Sequence, residues 1–121
     1  MTRFIFLTPF FLVAIFFYSC EKKIGKVDAN YVPINCDTIT FSKNIKPIIN
    51  ASCAKSGCHV TGFANGDYTT YAGLYAKVSA GTFKLRVFDS PNNPMPQDNG
   101  MLPPAKLAIL KCWLDKGAPN D

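Results

Sequence analysis

The chain has a single histidine, His59, and this scarcity limits the sites that it can build. No metal or cofactor in the chain can take two imidazole ligands. The eight carboxylates are scattered along the 121 residues without an obvious pair, so the sequence offers no candidate for paired acid–base catalysis. The basic residues form no run interleaved with aromatic residues, which argues against nucleic-acid binding. The length leaves room for one small domain only.

Long apolar runs are also missing, with the exception of residues 4–18. This run is interrupted only by Thr8 and Pro9, and Arg3 precedes it with a positive charge. It is too short to span a bilayer comfortably, and the combination of a basic start with a short apolar run is typical of an export signal.

The apolar run ends in Phe17-Tyr18-Ser19-Cys20, which resembles a bacterial lipobox. In such a signal the cysteine is lipidated and becomes the new N-terminus. We therefore expect a signal peptide over residues 1–19, a lipidated Cys20 and flexible tether over residues 20–35, and a folded domain over residues 36–121. A retained membrane anchor and ordinary cleavage are the alternatives. All three place the domain outside the cytoplasm, on a lipid-anchored, periplasmic or cell-surface protein.

The most informative stretch is Cys53-Ala54-Lys55-Ser56-Gly57-Cys58-His59, called the cysteine segment below. Two thiols and an adjoining imidazole are the groups needed to bond a haem through two thioethers and to ligate its iron. The usual attachment motif has two residues between the cysteines, whereas this one has four. Gly57 can absorb the extra residues in a loop because glycine adopts positive φ readily. The segment predicts one haem c, attached at Cys53 and Cys58 and ligated by His59.

Two other interpretations of the cysteine segment stay open. Its three side chains could bind zinc with Cys36 or Cys112 as the fourth ligand. Alternatively, Cys53 and Cys58 could form a disulfide with His59 uninvolved. An exported domain favours haem or a disulfide over a zinc–thiolate site, because such sites are typical of reducing compartments.

Each of the five cysteines then has an expected role. Cys20 would be lipidated and two others would bind haem, which leaves Cys36 and Cys112 as a possible disulfide. This bond would join the chain ahead of the first helix to the last helix, and small exported domains often need such a crosslink. Two free, buried thiols are the alternative.

Helical periodicity predicts an all-α domain with about three helices. They cover residues 40–51, with Pro47 forcing a late start or a kink, residues 69–80, and residues 104–116. Residues 82–100 are rich in proline, and we expect no regular structure there beyond a short extended piece at residues 83–88.

Met95 lies in this proline-rich region between Pro94 and Pro96. The two fixed φ angles restrain the direction of its thioether, as a sixth iron ligand requires. Met101 directly follows this region and is the rival candidate, with core packing as its alternative role.

Two stretches together resemble the small bacterial class I cytochrome c domains. The first is Ile45-Lys46-Pro47-Ile48 leading into the cysteine segment. The second is Met95-Pro96, followed by an apolar helix with Trp113 that ends in Gly117-Ala118-Pro119. The resemblance covers residues 36–121. It implies about three helices wrapped around one covalently bound haem, with a proline-rich loop carrying the distal ligand.

By this resemblance, Cys53 and Cys58 are the thioether attachment points, His59 is the proximal ligand and Met95 is the distal one. Met95 is preferred to Met101 because the Met-Pro pair and its distance from the tryptophan-bearing helix match the family. The spacing of the two cysteines departs from the family pattern.

A haem with both axial positions filled implies a one-electron carrier and not an enzyme. Of the 13 basic residues, Arg3 would be lost with the signal peptide, which leaves 12 against 8 acidic ones. This excess fits a redox partner with an acidic docking face. The alternatives are a haem enzyme or a gas or redox sensor with an open sixth position, and a haem-free lipoprotein stabilised by a metal or disulfides.

Overall fold

The computed structural model describes residues 33–121 except Asn99. In this part of the chain the only regular elements are helical, so the predicted all-α class is confirmed for it. No helix within the described part is long and apolar enough to cross a membrane. The predicted signal peptide and Cys20 lie outside the described residues, as does most of the tether. The four α-helices are α1 Lys46–Ser52, α2 Tyr71–Ser79, α3 Thr82–Phe88 and α4 Pro104–Asp115.

Two short elements precede α1, a 3-10 turn at Cys36–Thr38 and a π-helical turn at Phe41–Ile45. The Thr40 hydroxyl caps the π turn by accepting the Lys43 N–H at 3.3 Å. The turn runs directly into α1, which places Pro47 in the first turn of that helix. A proline is tolerated there because the N–H that it lacks has no partner within the helix.

Helix α2 begins after Thr70, whose hydroxyl accepts the Gly73 N–H at 3.2 Å. This agrees with the predicted second helix. Glycine has a low helix propensity, but the fold requires a glycine at position 73. A Cβ built at Gly73 would lie 1.8 Å from the carbonyl oxygen of Asp67. The glycine therefore lets the preceding loop pack directly against α2.

Helix α3 corrects the sequence-based prediction of an extended piece at residues 83–88. Within residues 33–121, Asn99 apart, there are four α-helices where about three were expected. Gly81 ends α2 in the left-handed conformation, with φ of 75°, and its carbonyl then accepts the Leu85 N–H at 3.1 Å. Only Ala80 and Gly81 therefore separate the two helices. Phe83 and Val87, one turn apart, are both buried on its inner face.

Helix α4 contributes the largest core side chain, Trp113, which is fully buried. Its ring lies 5.8 Å from that of Phe41, centroid to centroid, and its Nε1–H donates to the Pro119 carbonyl at 2.9 Å. The tryptophan therefore joins α4 to the π turn. The other hydrophobic core residues are Ile39, Ile45, Ile48, Ile49, Cys53, Leu74, Phe83, Val87, Leu102, Leu110, Cys112 and Ala118.

The C-terminal residues tie three elements together. The Asp121 carboxylate accepts the Phe41 N–H at 2.7 Å, and its main-chain oxygen accepts the Ser42 N–H at 3.0 Å. A negative charge at the start of a helical segment also interacts favourably with its dipole. The Tyr71 hydroxyl donates to the Ala118 carbonyl at 2.8 Å, which fixes α2 to the same tail.

A disulfide joins Cys36 in the 3-10 turn to Cys112 in α4, 76 residues later. Close by, the Lys116 ammonium donates to the Ile39 carbonyl at 2.8 Å. Both contacts hold the start of the domain against its last helix.

Candidate functional site

The cysteine segment forms a closed loop at the end of α1. The Cys53 N–H donates to the Ile49 carbonyl at 2.8 Å, and the His59 N–H returns to the Cys53 carbonyl at 3.0 Å. Within the loop the Cys58 N–H donates to the Lys55 carbonyl at 2.9 Å, and Gly57 has a φ of 77°. The four intervening residues are therefore accommodated without separating the two ends of the segment.

The tautomer of His59 follows from its hydrogen bond. Nδ1 lies 3.2 Å from the carbonyl oxygen of Gly66, and a carbonyl can only accept. Nδ1 therefore carries a hydrogen, which leaves an unprotonated Nε2 on the neutral ring. Burial lowers the pKa of His59 and so favours this neutral form. Ligating histidines commonly donate one ring N–H to a carbonyl and bind metal through the other nitrogen.

Two aromatic side chains fix the plane of the imidazole. The Tyr68 ring stacks on it with centroids 4.0 Å apart and planes 2° apart. Phe63 meets it edge to face at 5.3 Å. The Tyr68 N–H also donates to the His59 carbonyl at 2.9 Å. The sequence analysis did not identify Gly66, Phe63 or Tyr68 as contacts of His59. The only sign of them in the sequence is that glycine and aromatic residues closely follow the cysteine segment.

The two thiols of the segment are both free. Cys53 is buried, and burial raises the pKa of its thiol to about 11, so the group is protonated at neutral pH. Cys58 is only partly buried. The structure thus has no disulfide between Cys53 and Cys58.

The zinc interpretation loses its fourth ligand. Cys36 and Cys112 are bonded to each other, so neither thiol remains for a metal. Within residues 33–98 and 100–121, no three or more His, Cys, Asp or Glu side chains are grouped to hold a metal ion.

The two methionines differ in their surroundings. Both lie between α3 and α4 in residues 89–103, which we call the methionine loop. The Met95 N–H donates to the Arg86 carbonyl at 2.9 Å, and its partly buried side chain packs against the core. The side chain of Met101 is exposed, at 57% of its full accessible surface.

An ion pair joins the cysteine segment to the methionine loop. The Lys55 ammonium contacts a carboxylate oxygen of Asp98, which lies three residues after Met95. The hydrogen bond to Asp98 raises the pKa of Lys55. The structure thereby brings together the two segments on which the predicted ligands lie.

These side chains fit a covalently bound haem. The segment combines two free thiols with an adjacent neutral imidazole whose Nε2 has a lone pair, and a thioether lies on the loop held beside it. Comparisons with protein-family profiles, curated proteins and solved structures found no match for this chain.

Proposed function

We propose that this protein is an exported one-electron carrier with a single haem c. Cys53 and Cys58 would hold the porphyrin through thioether bonds, with His59 as proximal and Met95 as distal ligand. The observation that carries the proposal is the hydrogen bond from His59 Nδ1 to the Gly66 carbonyl, directly beside two free thiols. The fold would be a cytochrome c-like arrangement of four helices around the haem.

The chain's own residues have defined tasks in this proposal. The Gly66 carbonyl holds the Nδ1 hydrogen, which makes Nε2 the ligating atom and increases its basicity. Tyr68 and Phe63 keep the imidazole plane from rotating. The bound haem would supply the redox chemistry, with its iron alternating between ferric and ferrous. The soft thioether of Met95 favours the ferrous state, and we therefore expect a fairly positive reduction potential.

The location and partner follow from the same proposal. Export and lipid attachment at Cys20 would place the domain at the face of a bacterial membrane. The excess of basic over acidic residues supports docking to an acidic face of a redox partner protein.

The distal ligand can be tested with two matched variants of the haem-loaded protein. Thioether ligation of ferric iron gives a weak near-infrared absorption band. We expect Met95→Ala to abolish this band and Met101→Ala to keep it, because Met95 packs against the core whereas Met101 is exposed. The reverse result would transfer the assignment to Met101. If the unaltered protein lacks the band and binds carbon monoxide readily, the sixth position is open, and a sensor or haem enzyme becomes the better interpretation.

A further inference from the structure

We propose that Lys55 and Asp98 form a positioning pair for the distal ligand. Their contact holds the methionine loop against the cysteine segment, and so restricts the access of other molecules to the sixth position of the iron. The inference rests on the proposed function, because it concerns the site at which Met95 would bind.

The geometry of the methionine loop supports this role. The loop is fixed on one side where the Met95 N–H meets the Arg86 carbonyl at the end of α3. Three residues further on, Asp98 meets Lys55, which is 43 residues away in sequence. Met95 therefore lies within a short stretch that is held at both ends. Loss of the second contact would remove one of the supports that hold the loop against the cysteine segment, while the packing of Met95 and Leu102 against the core remains.

The position of Lys55 links this contact to the unusual spacing of the cysteines. Lys55 is one of the four residues between Cys53 and Cys58, so the pair begins inside the loop to which the haem would be bonded. The charges of both Lys55 and Asp98 also affect the pKa of the Cys53 thiol, in opposite directions. The pair and the attachment site thus lie close enough to interact electrostatically.

The expected size of the effect is modest because the pair is partly solvated. The side chains of Lys55 and Asp98 are 31% and 51% exposed. Exposed ion pairs contribute weakly to stability, and we expect a change of up to about fivefold in the opening equilibrium of the loop. Added salt should weaken the pair by screening its charges.

The test measures how fast imidazole binds to the ferric, haem-loaded protein at a pH at which free imidazole is neutral. We expect Lys55→Met and Asp98→Asn each to increase this rate by about two- to fivefold. A neutral probe avoids effects of the altered net charge on the encounter. Lys111→Met is the matched control, because Lys111 forms a similar pair with Asp115 within α4, at 2.7 Å, and should leave the rate unchanged.

The salt dependence of imidazole binding is a second test, because salt weakens the ion pair of the unaltered protein without any substitution. Raising the ionic strength should accelerate imidazole binding to the unaltered protein but not to Lys55→Met, which has no pair to screen. Exchanging the charges, with Lys55→Asp and Asp98→Lys in one chain, should restore a slow rate.

Two results would overturn the inference, and they are distinguishable. Equal imidazole rates in the unaltered protein and both variants, with the near-infrared thioether band intact, would refute the positioning pair alone. An unaltered protein without covalent haem or without that band would refute the proposed function, and the positioning pair with it.

Discussion

The rings of Tyr68 and His59 lie parallel, with their centroids 4.0 Å apart and their planes 2° apart. The same histidine is hydrogen bonded through Nδ1 to the carbonyl of Gly66, two residues before Tyr68. The loop that follows the cysteine segment therefore turns back to support the imidazole from its face and from its edge. A freely rotating imidazole would be a poor fixed ligand, and this loop removes that freedom.

Replacing Tyr68 should show how much the stack contributes to stability. Aromatic pairs contribute about 0.5–1.5 kcal/mol beyond the area that they bury, so Tyr68→Leu should lower the free energy of unfolding by at least that amount. Tyr68→Phe keeps the ring and should lose clearly less. Denaturant unfolding of the two variants measures the difference. Equal losses would mean that the stack on His59 is not the stabilising contact.

Gly73→Ala should destabilise the protein although alanine is the better helix former. On an exposed helix this change would stabilise by about 1 kcal/mol. Here the new methyl group would lie 1.8 Å from the Asp67 carbonyl oxygen, so either α2 or the preceding loop must move. We expect a loss of about 1–3 kcal/mol in the free energy of unfolding.

Ala72→Gly is the control for helix propensity in the same turn, where the expected loss is about 1 kcal/mol without any clash. A Gly73→Ala protein as stable as the unaltered one, or more stable, would contradict the close approach of the Asp67 loop.

The Asp67 carboxylate should contribute to the acid sensitivity of the fold. It accepts hydrogen bonds from Thr69 and Thr61, and these lower its pKa below the ordinary value of 3.8. The pKa of Asp67 is thus lower in the folded than in the unfolded protein. Its contribution to the free energy of unfolding is therefore complete well above pH 3.8 and is lost as the pH falls through the folded-state pKa. Asp67→Asn should therefore make unfolding less dependent on pH below about 4.

Asp89→Asn, which also removes one exposed carboxylate, is the control for a general change in charge. Unfolding free energies measured between neutral and acidic pH compare the two variants. An identical pH dependence in both would show that the hydrogen bonds to Asp67 have no part in it.

The two free thiols should differ in reactivity when the chain carries no haem. Cys53 is 7% exposed and burial raises its pKa to about 11, so little thiolate is available at pH 8. Cys58 is only partly buried. We therefore expect iodoacetamide to alkylate Cys58 faster than Cys53 in the folded chain, and both at similar rates after denaturation. Mass spectrometry of the peptides identifies each product, and faster labelling of Cys53 in the folded chain would contradict its burial.

Helices α2 and α4 could be predicted because their ends carry chemical signals. Thr70 caps α2, and Pro104 starts α4 at a position where its missing N–H has no cost. Helix α3 could not be predicted in the same way. It has seven residues, starts after a glycine without a side-chain cap and precedes a proline-rich loop. Its helical form depends on burial of Phe83 and Val87, which is a property of the tertiary structure.

The same distinction applies to the site: the features that are local in sequence could be predicted, and those that depend on tertiary structure could not. The cysteine segment is visible in the sequence because its three functional groups are close neighbours in the chain. The contacts of His59 with Gly66 and Tyr68 depend on the path of the following loop, which periodicity does not reveal. The Lys55–Asp98 pair spans 43 residues and appears only when the two loops meet.

The most direct test of the account is whether the exported, mature protein retains haem after denaturation and extraction with acid and acetone. We predict that the haem stays with the polypeptide, and that the peptide containing Cys53 and Cys58 is heavier by one haem. A colourless polypeptide whose Cys53 and Cys58 can both still be alkylated, made in cells with a working attachment system, would contradict it.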